Sequence, residues 1–139
     1  MTLRALKPPH ETRTRILDAA EELFMQHGFE GTSMRQLTAK ARANLAAVNY
    51  HFGSKDGLFE AVFRRTLDPM NAARIAEQER MDKAAGGRPL APEAIIRAFV
   101  GSSLRMIEDA KGGGRNFIRL LGRTYTDPQK PIRALIGQL

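Results

Sequence analysis

GTSMRQLTAKARANLAAVNYHFGSK, residues 31–55, is the stretch that decides the fold. It reads as two short helices joined by a tight turn. Ser33 and Gln36 have the spacing of a capping box: the hydroxyl accepts from the backbone N–H three residues on, and the Gln side chain reaches back to the cap. The first helix therefore starts at Thr32 or Ser33. Met34, Leu37 and Ala41 fall at i, i+3 and i+7, one apolar face of a helix. A turn follows around Ala41 to Asn44. Asn44 caps the next helix, because its side-chain oxygen satisfies an orphan N–H. That second helix runs from about Leu45 to Phe52. Its inward side is Leu45 or Ala46, with Val48 and Phe52; its outward side is Ala47, Asn49, Tyr50 and His51. Gly53 ends it in the left-handed conformation that glycine adopts without steric penalty. Ser54 caps a further helix, with Lys55 and Asp56 in its first turn.

The outward side suits a groove of duplex DNA. Small residues bring a helix backbone near base edges. Asn49 offers a donor beside an acceptor, the pattern that adenine presents in the major groove. Tyr50, His51 and Lys55 are donors at the rim, where phosphates lie. From Gly31 to Lys55 there are four basic residues, Arg35, Lys40, Arg42 and Lys55, and no Asp or Glu. An acid-free surface of this kind is the electrostatic footprint of a protein that faces a polyanion. The DNA-facing set is Thr32, Ser33, Arg35, Asn44, Leu45, Ala46, Ala47, Asn49, Tyr50, His51 and Lys55. The plain alternative is a small helical domain with a few solvated cations.

Residues from about Arg13 to Val62 resemble the DNA-binding domain of tetracycline-repressor (TetR) family transcriptional regulators. The resemblance lies in RILDAAEELFMQHGFEGTSMRQLTAKA, from Arg15 to Ala41, and in AAVNYHFGSKDGLFEAV, from Ala46 to Val62. It implies an all-α chain in which a three-helix helix-turn-helix domain precedes a helical ligand-binding and dimerisation domain. It also implies a homodimer on a palindromic double-stranded operator, in most cases a repressor released by a small-molecule effector. The wording AAVNYHFGSK is similar to a subgroup in which some members respond to fatty acids or related acyl compounds. Arg13 is, by this resemblance, a phosphate contact; as a bare residue it is an exposed cation.

The flanks fill in the rest. Residues 1–10 are polar and contain Pro8 and Pro9, so they read as a flexible arm, with Arg4 and Lys7 as its basic groups. A first helix runs from Glu11 or Thr12 to about His27, with Ile16, Leu17, Ala20, Leu23 and Phe24 as its buried stripe; Gly28 stops it and Phe29 folds back. The DNA-binding domain covers 11–62 and the effector and dimerisation domain 63–139. Leu58, Phe59, Val62 and Phe63 pack beneath the DNA-binding unit. Asp68-Pro69 reads as the boundary between two helices, because proline disfavours the helical state of the residue before it. The helix after it carries Met70, Ala73, Ile75 and Met81. A loop spans Ala85 to Pro92. The helix from Pro92 to about Ala110 has apolar residues on more than one face, Ile95, Ile96, Phe99, Val100, Leu104, Met106 and Ile107, and is expected to be central and buried. Gly112 to Gly114 break it, and Arg115 to Thr126 form another helix with Phe117, Ile118, Leu120 and Leu121 inward. Ile132, Leu135, Ile136 and Leu139 begin a further amphipathic helix. Family members are usually longer, and two C-terminal helices form their dimer interface; this sequence departs from that pattern, so its second domain is expected to be incomplete.

Phe99, Ser103, Met106, Phe117 and Leu121 are the candidate effector lining, with plain core as the competing reading. Arg115, Arg119 and Arg123 make a basic stripe at i, i+4 and i+8, either a solvated face or a seat for an anionic head group. The net charge of +7 favours anionic partners. It is spread unevenly: residues 1–58 hold eight basic against six acidic groups, and residues 59–139 hold fourteen against nine. The absence of cysteine removes disulfides and thiol chemistry and fits a cytoplasmic protein. The three histidines are far apart in sequence, so no metal and no cofactor is expected. No apolar run is long enough for a membrane span. An enzyme is a poor reading for want of paired catalytic groups. A helical adaptor for membranes or acidic proteins is the other competitor.

Overall fold

The computed structural model describes residues 9–109 and 114–126, all of them helix or short connection. The order is α1 (Pro9–His27), α2 (Met34–Ala41), α3 (Leu45–Phe52), α4 (Lys55–Ala85), α5 (Pro92–Glu108) and α6 (Gly114–Thr126). Residues divide into two compact units, 1–62 with 119–139, and 63–118. Of the arm expected over residues 1–10, Pro9 and His10 belong instead to α1 and the rest lies outside the described residues; so do Gly112 and Gly113 of the expected break, whose Gly114 begins α6, and the helix expected from Ile132.

In the first unit the core forms as the periodicity requires. Ile16, Leu17, Ala20, Leu23 and Phe24 of α1 are buried, with Leu37 and Ala41 of α2, Val48 of α3, and Leu58, Phe59 and Val62 of α4. Phe24, Phe29 and Phe59 close it as an aromatic cluster. Phe59 meets both other rings edge-on, with centroids 5.0 Å away. Such pairs add about 0.5–1.5 kcal/mol to their burial. Helix α1 opens at Pro9, two residues before the expected Glu11. Proline belongs in a first turn, where its missing N–H has no partner to lose and its φ is already helical.

The second unit departs further from expectation. Helix α4 runs through Asp68-Pro69 without a break. The ring removes the bond that residue 69 would make to the carbonyl of Arg65. Pro69 is exposed, however, so water can take the place of that bond. The Arg64–Asp68 ion pair, 3.8 Å and exposed, spans the same turn and contributes at most a few tenths of a kcal/mol. Ile75 is exposed rather than inward.

Helix α5 is not the buried centre that its composition suggests. Ile96 and Phe99 are 62% and 56% exposed, and Ile95, Val100 and Leu104 are also exposed; its one buried residue is Ser102. Composition identifies a helix that can be buried, and no described element covers this side of it. In α6, Phe117 and Leu120 are buried, but Ile118 is exposed. Phe117 packs edge-on against Phe63, with centroids 5.5 Å apart.

An exposed proline inside a continuous helix gives a test. Pro69→Ala restores the missing bond and the helix propensity, and should raise stability by about 2–3 kcal/mol. The urea midpoint followed by far-ultraviolet circular dichroism reads it; an unchanged or lower midpoint would contradict this account of α4.

Candidate nucleic-acid interface

The geometry of α2, α3 and their turn follows from local chemistry at each end. Ser33 Oγ accepts from Gln36 N–H at 3.1 Å, and Gln36 Oε1 accepts from Ser33 N–H at 2.9 Å, so the capping box is complete. The turn passes through Arg42, a non-glycine residue in the left-handed region at φ 50° and ψ 46°. Asn44 Oδ1 accepts from Ala47 N–H at 2.8 Å and starts α3. Gly53 ends it at φ 76° and ψ −47°, and Ser54 N–H donates to Phe52 C=O at 2.9 Å. That bond spans two residues, so Gly53 is the centre of a γ-turn and not the left-handed cap expected from its position. The conformation is strained for any residue with a Cβ, which explains the glycine. Ser54 then caps α4 by accepting from Gly57 N–H at 3.0 Å.

One contributor was not visible in the sequence. Arg15, on α1, donates through Nε to Ala41 C=O at 3.1 Å and through Nη2 to Arg42 C=O at 3.4 Å. These carbonyls sit at the C-terminal end of α2, where the last C=O groups lack helical partners and cations are favoured. Arg15 thus closes the turn from outside, while Glu11 holds its other nitrogen at 3.5 Å. Its separation of 26 residues from Ala41 hides the role from any local pattern.

The structure sorts the expected DNA-facing residues. Asn49 and Tyr50 are fully on the outside, Tyr50 at 83% exposure. His51 and Ala47 are half-buried beside them. Leu45 and Ala46 are both exposed, so neither is an inward residue; Val48 alone anchors α3, with Phe52 half-buried. Ser33, Arg35 and Asn44 are exposed. Thr32 does not belong to this surface. It is 1% exposed, and its hydroxyl lies 2.7 Å from Gly28 C=O and 3.2 Å from Leu23 C=O, tying the end of α1 to the start of α2. A buried hydroxyl needs a partner in the protein, and Thr32 has found its own.

The cations are also sorted. Lys55 Nζ sits 4.3 Å from the centroid of Phe29, and the Arg13 guanidinium 5.3 Å from that of Phe52. Both aromatic faces fix a charge at the edge of α3 without neutralising it. Lys40 is committed to Glu22 at 3.0 Å, an acid brought from α1 to the edge of the acid-free stretch. Arg35 and Arg42 are exposed.

Two short capped helices, a three-residue turn and a polar outer face on the second helix define a helix-turn-helix domain. Its family model, "Bacterial regulatory proteins, tetR family", matches residues 16–62, and "Tetracyclin repressor-like, C-terminal domain" matches residues 97–139. The chain belongs to the TetR family of bacterial regulatory proteins. It is 36% identical over 77 residues to the HTH-type transcriptional repressor AcnR of Corynebacterium glutamicum, an alignment covering 55% of this chain and 38% of that protein. Against the HTH-type transcriptional regulator RutR of Escherichia coli it is 32% identical over 102 residues, 73% of this chain and 44% of the relative. The crystal structure titled multidrug binding protein EbrR complexed with imidazole shares the fold, with a TM-score of 0.57 and 22% identity over 99% of this chain and 70% of that one. The chain spans less than half the length of these curated relatives.

The expected effector residues separate in space. Phe99 and Ser103 come together around Arg74, which the sequence did not single out. Met106 lines a separate groove on the same unit with Arg65, Met70 and Arg105. Phe117 is core, packed on Phe63, with the half-buried Leu121 one turn further along α6. Arg115, Arg119 and Arg123 are all exposed. Among the described residues no group of three His, Cys, Asp or Glu could hold a metal, and no helix is long and apolar enough to cross a membrane.

Arg15→Met keeps the aliphatic stem and deletes both bonds to the turn. Charge-assisted bonds in a partly exposed site predict a loss of about 1–2 kcal/mol in the urea midpoint. Arg15→Lys should recover only part of it, because an ammonium cannot serve two carbonyls as a planar fork does. Full recovery by lysine would reduce the role of Arg15 to that of a simple charge.

Proposed function

We propose that this chain is a cytoplasmic, sequence-specific DNA-binding transcriptional repressor, acting as a homodimer on a palindromic operator and released by a small-molecule effector. The observation that carries the reading is the outer face of α3. Asn49 and Tyr50 are presented to solvent on an eight-residue helix whose buried contact is Val48, with Lys55 and Arg13 held at its edge by aromatic faces. The repressor AcnR, matched over this domain, supports the direction of regulation. In this reading Asn49 reads a base edge and Ala46 and Ala47 allow close approach. Ser33, Arg35, Asn44, Leu45, Tyr50, His51 and Lys55 position the helix on the phosphates and groove walls. Two recognition helices about 34 Å apart would enter successive major grooves. An effector that favours a conformer with another spacing weakens DNA binding, and by linkage DNA weakens effector binding by the same factor. No enzymatic role is proposed, because the family and the relatives matched are regulators.

The test is selection of duplexes from a random pool by the whole chain, followed by fluorescence anisotropy across a salt series. Lys55→Ala should weaken binding alike on all duplexes and lower the salt slope by about 1. Asn49→Ala should shift base preference, at a loss of about 1–3 kcal/mol on the selected site. An unchanged slope for Lys55→Ala removes its phosphate role. Salt-sensitive binding to anionic vesicles with none to any duplex would replace the whole reading by that of a membrane adaptor.

A further inference from the structure

Arg74 is a half-buried cation of the second unit. It stands on α4 and is partly buried against α5. Its Nε donates to Ser102 Oγ at 2.9 Å, its Nη2 to Ser103 Oγ, and its Nη1 to Asn71 Oδ1 at 3.5 Å. The guanidinium carbon lies 4.0 Å from the centroid of the Phe99 ring. Every one of these partners is neutral. The acid that lines the same cleft is Glu77, and both its oxygens accept from Arg80. That bond holds the Glu77 carboxyl below its ordinary range, so it stays an anion committed elsewhere. Burial also pushes the Arg74 guanidinium down from its ordinary value.

The two serines are themselves satisfied without Arg74. Ser102 Oγ donates to Phe99 C=O at 2.7 Å, and Ser103 Oγ to the same carbonyl at 3.1 Å. Their hydroxyl oxygens are neutral acceptors, which a charged carboxylate can outcompete for a guanidinium. Beside Arg74 the cleft is apolar, lined by Met81, Leu90, Ile95, Ala98 and Phe99. A fixed cation with neutral partners at one end of an apolar cleft is complementary to a carboxylate with a short apolar body. Arg prefers such an anion, because its fork can donate two parallel bonds to the two oxygens.

We propose that the α4–α5 cleft at Arg74 binds a small organic monocarboxylate, its head group replacing Ser102 and Ser103 as the acceptor for Arg74 and its apolar body lying along Met81, Leu90 and Ile95. The site deepens the effector part of the function proposed above and rests on that reading for its regulatory meaning, but binding itself does not depend on DNA. Because the exchange takes Arg74 from two side chains of α5, the ligand loosens a polar latch between the two helices as it fills the apolar space.

The experiment is calorimetric titration of the whole chain, without DNA, with hexanoate and its isosteres hexanamide and hexylamine. Hexanoate should bind at least tenfold more tightly than hexanamide, and hexylamine should not bind. Arg74→Gln should remove that preference while leaving the circular dichroism spectrum unchanged. Should Arg74→Gln fail to fold, Ile95→Asp, which puts an acid beside the cleft on an exposed position, must weaken hexanoate at least tenfold. Equal binding of hexanoate and hexanamide to the wild type, or no binding of hexanoate, overturns the proposal. Repeating the duplex titration with hexanoate present separates the two readings: binding without release of DNA keeps the site and removes its role as effector, and loss of duplex binding altogether affects only the functional reading.

Discussion

Helix α3 is held to its domain by one fully buried side chain, Val48. An eight-residue helix is far too short to persist in water by itself, since nucleation fixes several dihedrals before any bond is gained. Its existence therefore depends on what is done at its ends. Asn44 caps the start, the Gly53 γ-turn sets the exit, and Arg15 fixes the carbonyls of the preceding turn from a third element. With Val48 buried and Ala47, His51 and Phe52 half-buried, the side of α3 that carries Leu45, Ala46, Asn49 and Tyr50 is left to solvent. The small residues Ala46 and Ala47 make sense in these terms: they add helix propensity without demanding burial.

The first unit was legible because its signals are local. Capping at Ser33, Asn44 and Ser54, the stripe on α1 and the bounds of α3 each follow from residues within one or two turns of each other. What escaped was long-range. Arg15 reaches a carbonyl 26 positions away, and Glu22 reaches Lys40 across helices. Thr32 misled for the opposite reason: polar residues near a helix start are usually at the surface, but this hydroxyl is needed inside, where the ends of α1 and α2 converge. In the second unit the period of the apolar residues marked helices correctly and said nothing of what covers them. Proline's bias against helix does not end α4 at Pro69, because the position is exposed and a lost backbone bond can be made good by solvent. Apolar spacing alone cannot distinguish a core position such as Phe117 from a cleft position such as Phe99.

The two units use different means to join their helices. In the first, an aromatic cluster and aliphatic side chains exclude water and leave the polar groups to cap ends. In the second, α4 and α5 are linked through Arg74, Ser102 and Ser103, a set of hydrogen bonds to a cation. Apolar packing loses stability roughly in proportion to the surface uncovered. Polar groups with interchangeable partners do have alternatives, since each donor can trade one acceptor for another at small net cost. The first arrangement suits a part that must keep its shape, and the second a part that must be able to change it.

The uncovered side of α5 has a consequence for handling the protein. Ile96, Val100 and Leu104, exposed at i, i+4 and i+8 among the described residues, form an apolar stripe that ions such as sulfate, excluded from such surfaces, drive toward self-association. The cationic rim of the other unit behaves in the opposite way: raising ionic strength screens it and strips away adventitious nucleic acid. Purification thus faces two salt demands that conflict if a single salt is used. Chloride or another weakly salting-out anion separates them, releasing polyanions from one unit while leaving the other dispersed.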